Sequence, residues 1–313
     1  MKKLLKIAAI VVAVLAAALL SVSYYMLDYS LKPENRGKDL DGSYEYMFAE
    51  YPFLEQWMDS LDREGALKDT FIMNNENMRM HAYYISSATG SKRTAVIVHG
   101  YTDNAIRMFM IGYMYNHDLD CNVLLPDLHY SGLSEGDYFR MGWKDRLDVL
   151  QWMDVADGIF GDSTRMVVHG ISMGAATTMM VSGEQQKDYV RCFVEDCGYT
   201  SVWDEFRSEL KARFGMPAFP LLHVADWMCK KKYGWSFREA SALEQVRKCS
   251  YPMLFIHGDK DTFVPTYMVY DLYDAKPRPK ELWITPGTGH ALSYKDYKDE
   301  YTRKVSEFIE RYM

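Results

Sequence analysis

The stretch Met166-Val167-Val168-His169-Gly170-Ile171-Ser172-Met173-Gly174-Ala175-Ala176 decides the fold. Met166 to Val168 is a short apolar run of the kind that forms a strand buried on both faces. The small residues that begin near Ser172 suit a helix lying close against a sheet. Between them stands Gly-x-Ser-x-Gly, from Gly170 to Gly174. A strand that turns directly into a helix needs small residues on either side of the turn. That turn lifts the Ser172 hydroxyl out at the sheet edge, beside the positive end of the helix dipole. In this context Ser172 is a candidate nucleophile rather than an ordinary turn residue.

A serine hydroxyl is a weak nucleophile until a base takes its proton, and the base needs a carboxylate to orient it. Both types come later in the chain, in the order acid, then histidine. His257-Gly258-Asp259-Lys260-Asp261 comes after the apolar run Met253 to Ile256, and Pro286-Gly287-Thr288-Gly289-His290 comes after Glu281 to Ile284. One strand and one helix fit between Asp261 and His290. Asp261 is the expected acid; Asp259, otherwise a turn-stabilising carboxylate, and Asp196 are the alternatives. His290 is the expected base. Two backbone N–H groups are needed for the oxyanion, and the expected pair belongs to Tyr101, after His99-Gly100, and Met173. His99 and His169 each precede a turn glycine and read as structural, with His129 and His223 weaker candidates still.

Outward from these motifs, strands and helices alternate. Ala95 to Val98, Asn122 to Leu125, Val190 to Val194 and the runs already quoted read as strands, and Met78 to Ile85 as an antiparallel edge strand. Ala105 to Tyr115, Trp143 to Ile159 and Tyr297 to Tyr312 read as helices, and an amphipathic stretch near Phe53 to Leu61 as a packing helix. Such alternation builds a mostly parallel sheet, here of the eight-stranded type, with helices on both faces. Residues 198–250 break it. They hold no strand pattern, are rich in aromatics, and are too long for an ordinary connection, so they read as a helical lid over the carboxyl edge of the sheet. Its acidic residues Glu205, Glu209 and Glu239 could meet a substrate amine, although surface charge explains them more simply.

At the other end, Lys2, Lys3 and Lys6 precede the apolar run Ile7 to Val22, and Leu4 and Leu5 extend it backward to 19 residues with one charge. That is long enough to span a bilayer, and the preceding positive flank places the rest of the chain outside the cytoplasm. Residues 1–28 are therefore expected to be a retained signal anchor, or a signal peptide cleaved near Ser21-Val22-Ser23 to give a secreted protein. The leader should contribute nothing to the core. Residues 29–70 read as a linker and packing helix, and 71–313 as the catalytic domain with its lid.

The chain of 313 residues is 48% hydrophobic and 25% charged, with a net charge of −7. This describes a folded enzyme-sized domain and excludes a disordered chain. Lys230-Lys231-Lys232 is an isolated triplet, a solvated helix end, so no nucleic-acid partner is expected. The 21 Met and 24 Tyr residues read as adaptable core filler and half-buried rings. Five cysteines show neither a zinc spacing nor a disulfide framework. Cys192 and Cys197 would point to opposite faces of a strand. A Cys229–Cys249 pair is geometrically open, with buried free thiols the commoner arrangement.

Val98-His99-Gly100-Tyr101, Pro126-Asp127 with Ser131-Gly132-Leu133-Ser134-Glu135-Gly136, the Ser172 motif, Phe255 to Asp261 with Val264-Pro265, and Gly289-His290 together resemble the serine aminopeptidase and monoacylglycerol-lipase branch of the α/β-hydrolases. The resemblance runs from about Phe71 to the end, and the long insertion resembles that of membrane-anchored bacterial hydrolases. It implies the α/β-hydrolase fold and hydrolysis of an ester, thioester or amide with no metal or organic cofactor. The loop His129-Tyr130-Ser131-Gly132 departs from relatives that carry Arg-Gly-His-Gly there. The expected function is a membrane-tethered carboxylic-ester hydrolase acting on a small acyl ester or peptide. Aminopeptidase or acyltransferase chemistry on the same residues is the alternative, and a non-catalytic binding module a more remote one.

Overall fold

The strands form one sheet in the order β1-β2-β4-β3-β5-β6-β7-β8 in a computed structural model that describes residues 1–34 and 36–313. They are β1 (Lys68–Met73), β2 (Arg79–Ile85), β3 (Arg93–Val98), β4 (Asn122–Pro126), β5 (Arg165–Ile171), β6 (Val190–Asp196), β7 (Met253–Gly258) and β8 (Lys280–Thr285). β1 and β2 pair antiparallel at one edge, and β2 pairs antiparallel with β4. All pairs from β4–β3 through β7–β8 are parallel. The central strands β3, β4 and β7 are almost wholly buried, which is why their sequences read as continuous apolar runs. This is the α/β-hydrolase fold.

β2 is not the edge strand that its alternation suggests. β1 covers it, and β1 is mostly half-exposed and carries Lys68, Asp69 and Thr70, so it has no hydrophobic period to reveal it.

The helices are α1 (Lys2–Leu31), α2 (Leu40–Glu50), α3 (Phe53–Glu64), α4 (Phe109–Tyr113), α5 (Asp145–Ile159), α6 (Met173–Ser182), α7 (Val202–Phe214), α8 (Leu221–Tyr233), α9 (Ala242–Val246), α10 (Tyr267–Ala275), α11 (Ser293–Asp296) and α12 (Lys298–Tyr312). They cover the two faces of the sheet and enclose two apolar layers. One includes Trp57 of α3, Phe109 of α4 and Phe308 of α12. The other includes Trp152 of α5, Met179 of α6 and Leu272 of α10. The expected helix over 105–115 is a 3₁₀ turn, the short α4 and a π turn in succession. The insertion folds as α7, α8 and α9. Ser201 caps α7 by accepting from the Asp204 N–H at 3.0 Å, and Gly215 ends it in the left-handed conformation.

The leader departs from expectation at its far end. Through Val22 α1 is exposed almost everywhere, but Ser23, Leu27 and Leu31 are buried. Leu27 and Leu31 join the apolar layer that also holds Leu222, Ala225 and Cys229 of α8. The Ser23 hydroxyl donates to the Leu221 carbonyl at 3.3 Å. So the helix runs past residue 28 and its last turns belong to the core. Their spacing of four places all three side chains on one helix face. All five cysteines are buried free thiols.

Candidate active site

β5 ends at Ile171 and α6 begins at Met173, so Ser172 alone makes the turn. It does so at φ 58° and ψ −119°, a conformation costly for a residue with a side chain. The turn closes because its neighbours lack a Cβ. A Cβ on Gly170 would lie 2.1 Å from the Gly174 carbonyl oxygen, and one on Gly174 would lie 2.0 Å from that of Val98. The geometry ties the turn to the end of β3, where a Cβ on Gly100 would lie 3.6 Å from the Ser172 Cβ.

His290 Nε2 lies 2.8 Å from Ser172 Oγ, and its Nδ1 lies 2.7 Å from Asp261 Oδ2. The other Asp261 oxygen accepts the backbone N–H groups of Phe263 and Val264, each at 2.9 Å. Burial pushes the Asp261 carboxyl up, but the hydrogen bonds of His257 and His290 outweigh it and hold the group at about 2. It is a buried carboxylate, fixed in place and charged at any working pH. Asp259 accepts instead from the Gly287 N–H at 2.7 Å, the turn-stabilising role. Asp196 is bonded to Ser293 and Tyr301, and burial raises it to about 6. Only Asp261 of the three is bonded to His290.

Three further histidines, His99, His169 and His129, are built into the frame. His99 Nε2 accepts the Leu128 N–H at 2.9 Å, which leaves Nδ1 to donate to the Gly100 carbonyl. His169 lies between the hydroxyls of Tyr115 and Tyr301, and burial lowers it to about 3, so it is neutral. His129 is buried on the Tyr138 carbonyl, and His223 stacks edge-on with Trp203 in the lid. Asp127 collects the N–H groups of Ala105 and Leu133 and the His81 ring, fastening the loop after β3 to the loop after β4. In the unusual loop, the Tyr130 ring packs on Phe139, which packs on Tyr101.

Tyr101 follows Gly100 beside the turn, and Met173 supplies the first residue of α6. Both line a cavity of about 390 Å³ that opens onto Ser172. Its lining includes Leu27 and Tyr29 of α1, which sequence reasoning did not place at a site, and Glu205 of α7, which it named as a possible partner for a substrate amine. Glu205 is 3% exposed, neither of its oxygens has a partner among the described residues, and burial pushes its carboxyl well above the ordinary range. The surface reading of Glu205 is therefore wrong. The buried Ser23–Leu27–Leu31 stripe was visible as a spacing, but the all-apolar run before it masked the signal.

Cys197, Asp261 and His290 form the one group of metal-ligand types among the described residues. Burial holds the Cys197 thiol protonated, and Asp261 and His290 are committed to each other, so the donor set does not suit a cation.

The fold and this serine site define a serine hydrolase. Residues 134–313 match the model of the prolyl oligopeptidase family, and the chain belongs to that family. The uncharacterised protein YqkD of Bacillus subtilis (strain 168) is 29% identical, the match covering 75% of this chain and 81% of that protein. The α/β hydrolase domain-containing protein WAV2 of Arabidopsis thaliana is 22% identical over 78% of this chain and 79% of its own. Among solved structures, the esterase Pf2001 of Pyrococcus furiosus superposes with a TM-score of 0.65 at 23% identity, covering 81% of this chain and 94% of that one. The acylaminoacyl peptidase of Pyrococcus horikoshii gives 0.58 at 17%, covering 79% and 42%.

Proposed function

We propose that this chain is a membrane-tethered carboxylic-ester hydrolase working outside the cytoplasm through an acyl-enzyme, with Ser172 as nucleophile, His290 as general base and Asp261 as its orienting carboxylate. The observation that carries the reading is the continuous line Asp261–His290–Ser172, at 2.7 and 2.8 Å, ending in an apolar cavity. Ser172 Oγ attacks the acyl carbon while His290 Nε2 takes its proton. The oxyanion that forms accepts the backbone N–H groups of Tyr101 and Met173. The carbon–oxygen bond to the alcohol then breaks, and the alcohol leaves with the proton from His290. Water repeats the sequence: it gives a proton to His290, bonds to the acyl carbon, and returns the Ser172 hydroxyl as the acid departs.

Ser172→Ala should lower turnover by about 10⁵ to 10⁶ while leaving the fold intact. Labelling by a fluorophosphonate should vanish with it. Labelling that persists in the variant would assign the nucleophile elsewhere.

Glu205 favours a second reading, amide hydrolysis at a substrate amine, because a carboxyl in the cavity with no partner among the described residues can accept an ammonium group. A panel of p-nitrophenyl esters and aminoacyl anilides separates the two by kcat/KM.

A further inference from the structure

The cavity above Ser172 is closed on one side by the leader helix itself. Leu27, Tyr29 and Ser30 of α1 line it together with Phe214 at the end of α7 and Leu221 at the start of α8, and the Tyr29 ring meets that of Phe214 edge to face. The same segment also holds the loop that carries Tyr101. The Tyr101 hydroxyl donates to the Ser30 carbonyl at 2.7 Å, and Arg36 donates to the Thr102 hydroxyl at 3.1 Å. Asn104 donates to the Gly37 carbonyl at 3.0 Å. The residues that emerge from the apolar span therefore build part of the site.

The outer surface beside this junction has the composition of a bilayer interface. α8 is bonded near both its ends to one turn of α1: Ser23 donates to the Leu221 carbonyl, and Lys232 donates to the Tyr24 hydroxyl at 3.2 Å. Before that turn α1 is apolar and almost entirely exposed, so α8, with the face it turns away from the core, meets the leader where the span ends. That face exposes Trp227, Lys231 and Lys230, the last also paired with Glu239, and the adjoining loop exposes Phe219, at 71% the barest large apolar residue after the leader. Tyr24 and Tyr25 add two more exposed aromatics at the end of the span. Aromatic rings settle at the headgroup level of a bilayer, and clustered lysines are drawn to anionic headgroups. The lysines stand out because the chain as a whole carries a net charge of −7.

We propose that the substrate is a long-chain acyl ester dissolved in the bilayer, which enters the cavity from the membrane side between the last turns of α1 and the junction of α7 with α8. The domain docks on an anionic membrane through Phe219, Trp227 and Lys230 to Lys232, and this sets the cavity mouth at the headgroup level. The inference rests on the ester-hydrolase reading above and goes beyond it by naming where the substrate resides.

The test uses the full chain reconstituted in vesicles of phosphatidylcholine with about one-third phosphatidylglycerol. Hydrolysis of p-nitrophenyl palmitate held in the vesicles is compared with that of p-nitrophenyl butyrate in water. Palmitate should be cleaved at least about tenfold more efficiently, and omission of phosphatidylglycerol should lower its rate severalfold. Lys230→Gln with Lys231→Gln and Lys232→Gln, and separately Phe219→Ser with Trp227→Ser, should each lower palmitate hydrolysis about tenfold and leave butyrate hydrolysis within twofold. Butyrate hydrolysis without a palmitate preference, or a palmitate rate indifferent to both variants, overturns this inference and leaves the esterase reading standing. Inactivity towards both esters removes the esterase reading and this inference with it.

Discussion

At the scale of the residue, the site turns on which carboxylate reaches His290. Asp261→Asn keeps the shape but forces the wrong His290 tautomer, and should lower kcat by about 10⁴. Asp259→Asn only loosens the bond to the Gly287 N–H and should change kcat less than tenfold. Steady-state kinetics on the pair decides the assignment, and the reverse order would move the role to Asp259. Glu205 makes a different prediction. Because burial raises its carboxyl, folding favours the protonated form. Its stabilising share is fully present below the ordinary carboxylate range and is lost as pH rises through the elevated value. Glu205→Gln should therefore gain in stability relative to the native chain between pH 5 and pH 9, by about 1–3 kcal/mol at the alkaline end. Thermal unfolding across that range measures it. A constant difference would mean that Glu205 does not titrate there.

At the scale of the element, the buried turns of α1 are the part most exposed to test. Leu27→Ala deletes a side chain that fills both core and cavity wall, and should destabilise by about 2–5 kcal/mol. A chain that begins at Ser21 retains the stripe and should keep its melting temperature. One that begins at Lys32 should melt lower and lose most of its activity, and equal melting of the two would show that the stripe is dispensable. The elements that sequence made legible are those whose burial imposes a pattern. β3, β5 and β7 announce themselves as apolar runs, and the Ser172 turn by the glycines its closure demands. β1 stayed hidden because a half-exposed edge strand needs no such pattern. The last turns of α1 stayed hidden for the opposite reason, since a stretch of 19 residues with a single charge explains itself as a span and draws attention from the stripe beyond. The triad candidates were readable from their order after strands. The wall of the cavity was not, because its residues come from α1, α7 and α8 and meet only in three dimensions.

At the scale of the whole molecule, the single described helix long and apolar enough to cross a membrane sits at the amino terminus, after Lys2, Lys3 and Lys6. The full chain should fractionate with membranes, and protease added to intact cells should degrade the domain from outside. Protection in that assay would reverse the topology. The bond between Ser23 and Leu221 joins residues 198 apart, the last of which is made late. At a synthesis rate of about 5–20 residues per second, roughly 10 to 40 s separate the two on the ribosome. Throughout that interval the stripe of Ser23, Leu27 and Leu31 has emerged without α8 to cover it. The newborn chain thus passes through a stage in which its first-made surface waits for one of its later-made helices, and pulse-labelled chains should acquire protease resistance only after Tyr233 has left the exit tunnel.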